Sequence, residues 1–254
     1  MAGYSVLSLH FALGTVLAVV VITHALARAK PIRRADLAGR RQFLALGALA
    51  AGAYAAWWAQ RPLTAFFGFR GARRRFTGSY EAASFEGNSF PTTAWVADMP
   101  RPVDPDDYRL EISGLVRNEM RLARSELGGG DRLVATLDCT GGFYSRQLWE
   151  GVRLARLLER AGPLQGASHV RVISHTGYRW SFGLDETREL LLATNVGGKP
   201  LSHDHGAPVR LVAPGRRGFQ WVKWVVRLEL HDGPDRGAMA ATVWSSFTPE
   251  GRGA

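Results

Sequence analysis

The side chains best suited to chemistry gather in two stretches. The first, Val134-Ala-Thr-Leu-Asp-Cys-Thr-Gly-Gly-Phe-Tyr144, holds the single cysteine of the chain, Cys139. Its apolar start predicts a strand over Val134 to Leu137 that delivers Cys139 into a Thr-Gly-Gly turn. Glycines at such a point let the backbone come close to a bulky ligand. A thiolate is a soft ligand for a redox metal, whereas a solitary cysteine is more commonly a small buried hydrophobe. The second stretch runs from Asp204-His-Gly-Ala-Pro-Val-Arg210 through to Lys223. Arginine grips a phosphate with two parallel hydrogen bonds, lysine adds a point charge, and glycines expose N–H groups to an anion. The plain alternative is a basic surface loop with a structural histidine.

Taken together, LDCTGGFYSRQLWEGVRLARLLERAG and HGAPVRLVAPGRRGFQWVKWVVRLEL resemble the molybdopterin-binding oxidoreductase domain of the sulfite oxidase family. The resemblance covers roughly residues 80–232. It implies that the Cys139 thiolate binds molybdenum directly and that His205, Arg210 and Lys223 hold the pyranopterin and its phosphate. Arg216, Arg217 and Gly218 lie in the same loop as further cofactor contacts. Asn88 and Phe90, in SFEGNSFPTT, match the pterin-contacting segment that precedes the cysteine in the family. Sulfite-oxidising members carry an arginine five residues after the cysteine; Tyr144 stands there, and Arg146 is the nearest cation. In length the chain is closer to bacterial methionine sulfoxide reductase catalytic subunits.

The activity implied is oxygen-atom transfer on an S-oxide, an N-oxide or a related small substrate. Electrons would pass one at a time through a cytochrome or quinone-linked partner, since no flavin or nicotinamide motif is visible. The alternatives are a sulfite dehydrogenase-like enzyme, or a non-catalytic pterin-binding or docking subunit of a membrane cytochrome complex.

The elements that must position these residues read as an α+β domain dominated by strands. Tyr108 to Ile112 alternates apolar and charged residues, as a half-buried strand does. Leu154 to Ala161 has leucines at helical spacing with Gly162 as a stop. His169 to His175 and Tyr178 to Leu184 predict a hairpin around Thr176-Gly177. Asp185 is placed to cap a short helix over Glu186 to Leu192, and Val209 to Val212 and Val222 to Leu230 predict further strands.

Before this domain lie two apolar runs. Ser5 to Ala27 contains no charged residue and is long enough to cross a bilayer. Phe43 to Ala59 is shorter, rich in alanine and glycine, and ends near paired tryptophans. Six basic residues (Arg28, Lys30, Arg33, Arg34, Arg40 and Arg41) separate the runs, against one acid, Asp36. The expectation is a bacterial cytoplasmic-membrane anchor of two transmembrane helices over residues 1–60, with the loop in the cytoplasm and the catalytic domain periplasmic or extracellular. Arg40-Arg41-Gln-Phe-Leu44 also reads as a twin-arginine export signal. A basic linker (61–79), the catalytic domain (80–232) and a C-terminal tail (233–254) complete the expected order. His10 and His24, fourteen residues apart in the first run, lie near one helix face. Such a pair is a candidate for haem b ligation with partner helices.

Composition excludes other classes. The net charge of +10 is concentrated in the N-terminal third, beside the apolar runs, so it favours a membrane flank over nucleic acid. No zinc-type Cys/His spacing, Walker loop or nucleic-acid motif occurs. A single cysteine permits no disulfide within the chain.

Overall fold

The computed structural model describes residues 6–28, 40–67, 74–75, 77–93, 100–128 and 130–244. The chain divides into two compact units between Tyr80 and Glu81.

The N-terminal unit contains α1 (Val6–Arg28) and α2 (Arg40–Phe66). Both apolar runs are therefore helical, and α2 runs past residue 60 to Phe66 with Pro62 inside it. Leu13, Val16, Leu17 and Ile22 on α1, and Leu44, Leu49, Trp57 and Trp58 on α2, are exposed. Among the described residues, no helix is long and apolar enough to cross a membrane. The two transmembrane helices expected from the sequence are thus present as helices and not established as spans. In α2 the cause is composition: much of its apolar run is alanine and glycine, with few of the large aliphatic side chains that dominate insertion. Residues 68–73 of the expected linker and 245–254 of the expected tail lie outside the described residues.

The second unit is strand-rich, as the α+β reading requires. After the two-residue β1 (Tyr80–Glu81), β2 (Arg109–Gly114) and β3 (Met120–Ala123) form an antiparallel pair. β4 (Asp131–Asp138) and β5 (Phe143–Arg153) form a second, which the Cys139 turn connects. Then follow α3 (Leu154–Ala161), the hairpin β6 (His169–Ser174) and β7 (Arg179–Gly183), and β8 (Leu191–Val196). β9 (Lys199–Pro200), β10 (Arg210–Val212), β11 (Val225–His231) and α4 (Ala238–Trp244) complete it.

Two sheets result. One has the order β3-β2-β11-β6-β7, in which only the β2–β11 pairing is parallel. In the other, β5 pairs with β4 on one side and β8 on the other, and β8 continues to β10 and β9. Alternation along β6 buries Val170, Val172 and Ser174 and leaves His169, Arg171 and Ile173 partly open. This is the period of two expected where one face meets a core.

β5 is the longest strand, and its register shifts between Glu150 and Gly151. A side chain at Gly151 would sit 2.0 Å from the carbonyl oxygen of Leu192, so only glycine allows β8 to close on the shifted strand. α3 packs Leu154, Leu157, Leu158 and Ala161 inward, and Gly162 ends it in the left-handed region at φ 68°. One sequence expectation is corrected. Glu186 to Leu192 is not a helix: a 3₁₀ turn covers Leu184–Arg188, and Leu191 and Leu192 open strand β8. Both leucines are fully buried, and the Leu191 and Leu192 backbones pair with β5 and β10. Tertiary burial outweighs the local helical pattern here.

Candidate functional site

The β4–β5 connection puts Cys139 at the wall of a half-open cleft. The turn is tight: the Cys139 N–H donates to the Phe143 carbonyl at 2.9 Å, and the Gly142 N–H donates to the Cys139 carbonyl at 3.1 Å. The sulfur is 3.4 Å from the Gly141 nitrogen and 3.5 Å from the Thr93 hydroxyl. Gly218 closes over the other side. Phe143, Tyr178, Trp221 and Trp224 supply aromatic lining, and Thr92, Thr93, Thr140 and Ser174 supply hydroxyls.

Arg210 is fully buried at the start of β10, with its guanidinium 5.1 Å from the Trp149 ring centre and 5.8 Å from that of Trp221. One terminal nitrogen donates to the His205 carbonyl at 2.8 Å. Its Nε is buried with no hydrogen-bond partner. Burial pushes the Arg210 pKa down to about 10, against the opposing pull of Cys139. Even so, the group remains a cation at neutral pH. A buried cation with an orphaned donor is costly unless an anion meets it.

His205 lies in the 3₁₀ turn His203–His205, and both its ring nitrogens are engaged. Nε2 is 2.9 Å from the Phe90 carbonyl, which can only accept, so Nε2 carries the proton. Nδ1 then accepts from the Ser202 hydroxyl at 2.7 Å. Burial pushes the His205 pKa down to about 4, and Arg210 and Lys223 push the same way against the bond to Phe90. It is a neutral imidazole. Lys223 Nζ donates to the Thr93 carbonyl at 3.0 Å and the Asp204 carbonyl at 2.6 Å.

The structure therefore brings Cys139, Phe90, His205, Arg210, Gly218 and Lys223 to one cleft. It places the other candidates elsewhere. Asn88 uses both ends of its amide on the Pro200 carbonyl and the Ser202 N–H, tying its segment to the chain after β9. Tyr144 and Arg146 alternate with Phe143 and Ser145 along β5, so they share the opposite face. Arg146 is exposed, its guanidinium 5.8 Å from the Phe85 ring centre. Arg216 pairs with Glu186, and Arg217 lies 3.6 Å from the buried carboxylate of Asp138. None of these five lines the cleft. His24 is exposed on α1 and the His10 side chain lies outside the described residues, so the haem expectation gains no support.

Sequence reasoning missed Thr93, Ser174, Tyr178, Trp149 and Trp221. Tyr178 donates its hydroxyl to the Phe219 carbonyl and anchors the loop that carries Gly218. No local signal marks these residues, because their roles depend on pairings distant in sequence.

Residues 96–239 match the oxidoreductase molybdopterin binding domain family. The chain is 30% identical over 178 residues to the protein-methionine-sulfoxide reductase catalytic subunit MsrP of Gluconobacter oxydans, covering 61% of this chain and 55% of that one. It is 29% identical over 186 residues to human mitochondrial sulfite oxidase, covering 59% and 34%. The NADPH nitrate reductase of Fusarium oxysporum is 30% identical over 169 residues, covering 54% of this chain. The match spans only 19% of that reductase, and about half of the sulfoxide reductase subunit. Among solved structures, the sulfane dehydrogenase SoxCD of Paracoccus pantotrophus matches with a TM-score of 0.50 at 27% identity, over 53% of this chain and 40% of that one.

Proposed function

Because the chain belongs to the oxidoreductase molybdopterin binding domain family, we propose that it is a molybdenum-molybdopterin oxidoreductase acting on a small, neutral S-oxide or N-oxide. The residues present fit the cofactor. Cys139 presents its sulfur to the cleft, and the buried Arg210 carries an unsatisfied Nε that an anionic group would satisfy. When bound, the cofactor supplies two-electron oxygen-atom transfer. Reducing a sulfoxide consumes two electrons and two protons and releases a sulfide and water.

The chain's own residues set the conditions for that chemistry. Cys139 holds the metal and donates electron density to it. Arg210, its guanidinium held against the Trp149 and Trp221 rings, would neutralise cofactor charge. His205 and Lys223 brace the Phe90–Thr93 segment that forms one wall. Phe143, Tyr178, Trp221 and Trp224 give the cleft an aromatic wall.

The observation that carries the choice of substrate is the charge of the lining. Among the described residues, Arg210 and Lys223 are the cations lining the cleft; Lys223 donates to the Thr93 and Asp204 carbonyls, and Arg210 donates to the His205 carbonyl and keeps its Nε for the cofactor. A sulfite dianion stripped of water needs paired cations, and Arg146 points away. The similarity to a methionine sulfoxide reductase subunit supports the same reading.

The exposed apolar side chains of α1 and α2 support attachment to the bacterial cytoplasmic membrane. The basic loop between the helices would then lie in the cytoplasm and the domain outside it. A cytochrome or quinone-linked partner would exchange electrons singly with this site.

Metal analysis of the purified protein, combined with dye-linked turnover on methionine sulfoxide and on sulfite, tests the proposal. Stoichiometric molybdenum with sulfoxide turnover is expected, both falling or altered in Cys139→Ser. Efficient sulfite oxidation instead would favour the sulfite dehydrogenase reading. Full molybdenum with neither activity would favour a non-catalytic subunit.

A further inference from the structure

We propose that Thr93 is a positioning residue whose hydroxyl hydrogen-bonds the sulfur of Cys139 and so tunes the reduction potential of the metal that Cys139 holds. This rests on reading Cys139 as the molybdenum ligand.

The sulfur has polar neighbours from two separate segments. The Gly141 N–H lies in its own turn, at 3.4 Å. The Thr93 hydroxyl, at 3.5 Å, comes from 46 residues earlier in the chain. With the thiol protonated, sulfur donates to the Thr93 oxygen; once it is a thiolate, only the hydroxyl and the amide can donate. The geometry therefore offers a metal-bound sulfur two donors.

The fold spends much of its polar material on holding Thr93 there. The Phe90 carbonyl accepts from His205 Nε2 at 2.9 Å, and the Thr93 carbonyl accepts from Lys223 Nζ at 3.0 Å. His205 and Lys223 of the second motif thus clasp both ends of the Phe90–Thr93 segment. Space is reserved as well. A Cβ on Gly141 would meet the Thr93 hydroxyl oxygen at 2.7 Å, closer than real contacts allow. Glycine at 141 leaves the hydroxyl room beside the sulfur, so the contact is built from both sides.

A donor to a metal-bound sulfur withdraws electron density from it. The ligand then stabilises the oxidised metal less, and the potential rises; hydrogen bonds to sulfur are among the main levers on metal–thiolate potentials. Packing alone makes a different prediction. Threonine and valine share a shape, whereas threonine and serine share a hydroxyl.

The experiment is an EPR-monitored redox titration of the molybdenum-loaded protein for wild type, Thr93→Val and Thr93→Ser, with metal content and the visible sulfur-to-metal absorption recorded alongside. Thr93→Val should keep its molybdenum, shift the absorption and make the reduced state about tenfold less favoured, a fall of about 59 mV for a one-electron couple. Thr93→Ser should stay near wild type. A Thr93→Val protein with full molybdenum and unchanged potential overturns the proposal, as does a Thr93→Ser shift equal to that of Thr93→Val. Absence of molybdenum from the wild type would instead overturn the cofactor reading, and this proposal with it.

Discussion

Gly218 and Cys139 meet backbone to backbone: a Cβ on Gly218 would stand 2.9 Å from the Cys139 Cα and 3.1 Å from the Asp138 carbonyl oxygen. The Arg216–Gly218 loop and the Cys139 turn are therefore one construction, and neither can move without the other. Both obstacles are backbone atoms, so a methyl group has no flexible side chain to displace.

Gly218→Ala should push the Cys139 turn out of line. Overpacking of this kind costs about 1–3 kcal/mol. Molybdenum content is expected to fall further than folding stability accounts for, because the turn sets the direction of the thiolate. Metal analysis and denaturant titration of the same preparations check this. A variant with full molybdenum and unchanged turnover would show that the close approach has no bearing on the site.

Arg210 gives a second test, with opposite signs for stability and function. Its guanidinium is buried, and no protein group satisfies Nε. Replacing a poorly compensated buried charge by an apolar side chain of similar volume is often neutral or stabilising by about 1–4 kcal/mol. Arg210→Met should therefore melt no lower than wild type when both lack cofactor, yet fail to retain molybdopterin. Comparing melting temperatures of the two cofactor-free proteins, then their pterin content after loading, separates the effects. A large loss of cofactor-free stability would mean that the bond to the His205 carbonyl outweighs the burial of charge.

How much of this was legible beforehand follows from sequence distance. Cys139, Gly218, His205, Arg210 and Lys223 sit in two short motifs that carry the family resemblance, and all five line one cleft. Tyr144 and Arg146 were assigned to the substrate side by counting from Cys139. The alternation of β5 turns them to the face opposite Phe143, and a count along the chain does not carry that information. Asn88 and Arg216 look like ligands in sequence, but find partners 114 and 30 residues away in Ser202 and Glu186. The α+β class was legible from periodicity. The Leu191–Val196 strand was not, because leucines buried on every side carry no period to distinguish strand from helix.

Asp235 tests what holds the β3-β2-β11-β6-β7 sheet to the segment that follows it. Its carboxylate accepts from Arg179 Nε at 2.6 Å and the Gly237 N–H at 2.9 Å. Arg171 Nε lies 3.0 Å away as an ion pair, off the hydrogen-bond axis. Burial raises the Asp235 pKa, but Arg179, Gly237 and Arg171 together leave it lowered. Its stabilising effect is therefore present above the ordinary carboxylate pKa of about 4 and fades as pH falls below that. Asp235→Asn should lose about 1–3 kcal/mol at pH 7 through unsatisfied guanidinium groups. The loss should shrink toward pH 3; a loss independent of pH would place its origin in packing.

His205 also loses its contribution on acidification, but in a higher pH window. In the folded protein its pKa is pushed down to about 4 by burial, then by Arg210 and Lys223, while the unfolded chain titrates near 6.5. Folding thus favours the neutral ring, and between those values the unfolded state binds more protons than the folded one. Stability should be undiminished above pH 6.5 and decline as pH falls toward 4. Protonation would also place a proton on Nδ1, which accepts from Ser202 in the neutral form, so the Ser202 hydroxyl would have to turn. His205→Gln keeps a donor and an acceptor but does not titrate. Its stability at pH 7 should be lower, since the imidazole's edge-on contact with Phe90, 4.1 Å between centres, is lost. On acidification, wild type should lose stability relative to this variant, so their denaturation midpoints converge from pH 7 to pH 4.5. Midpoints that stay parallel across this range would mean that His205 is not the group whose protonation opposes folding.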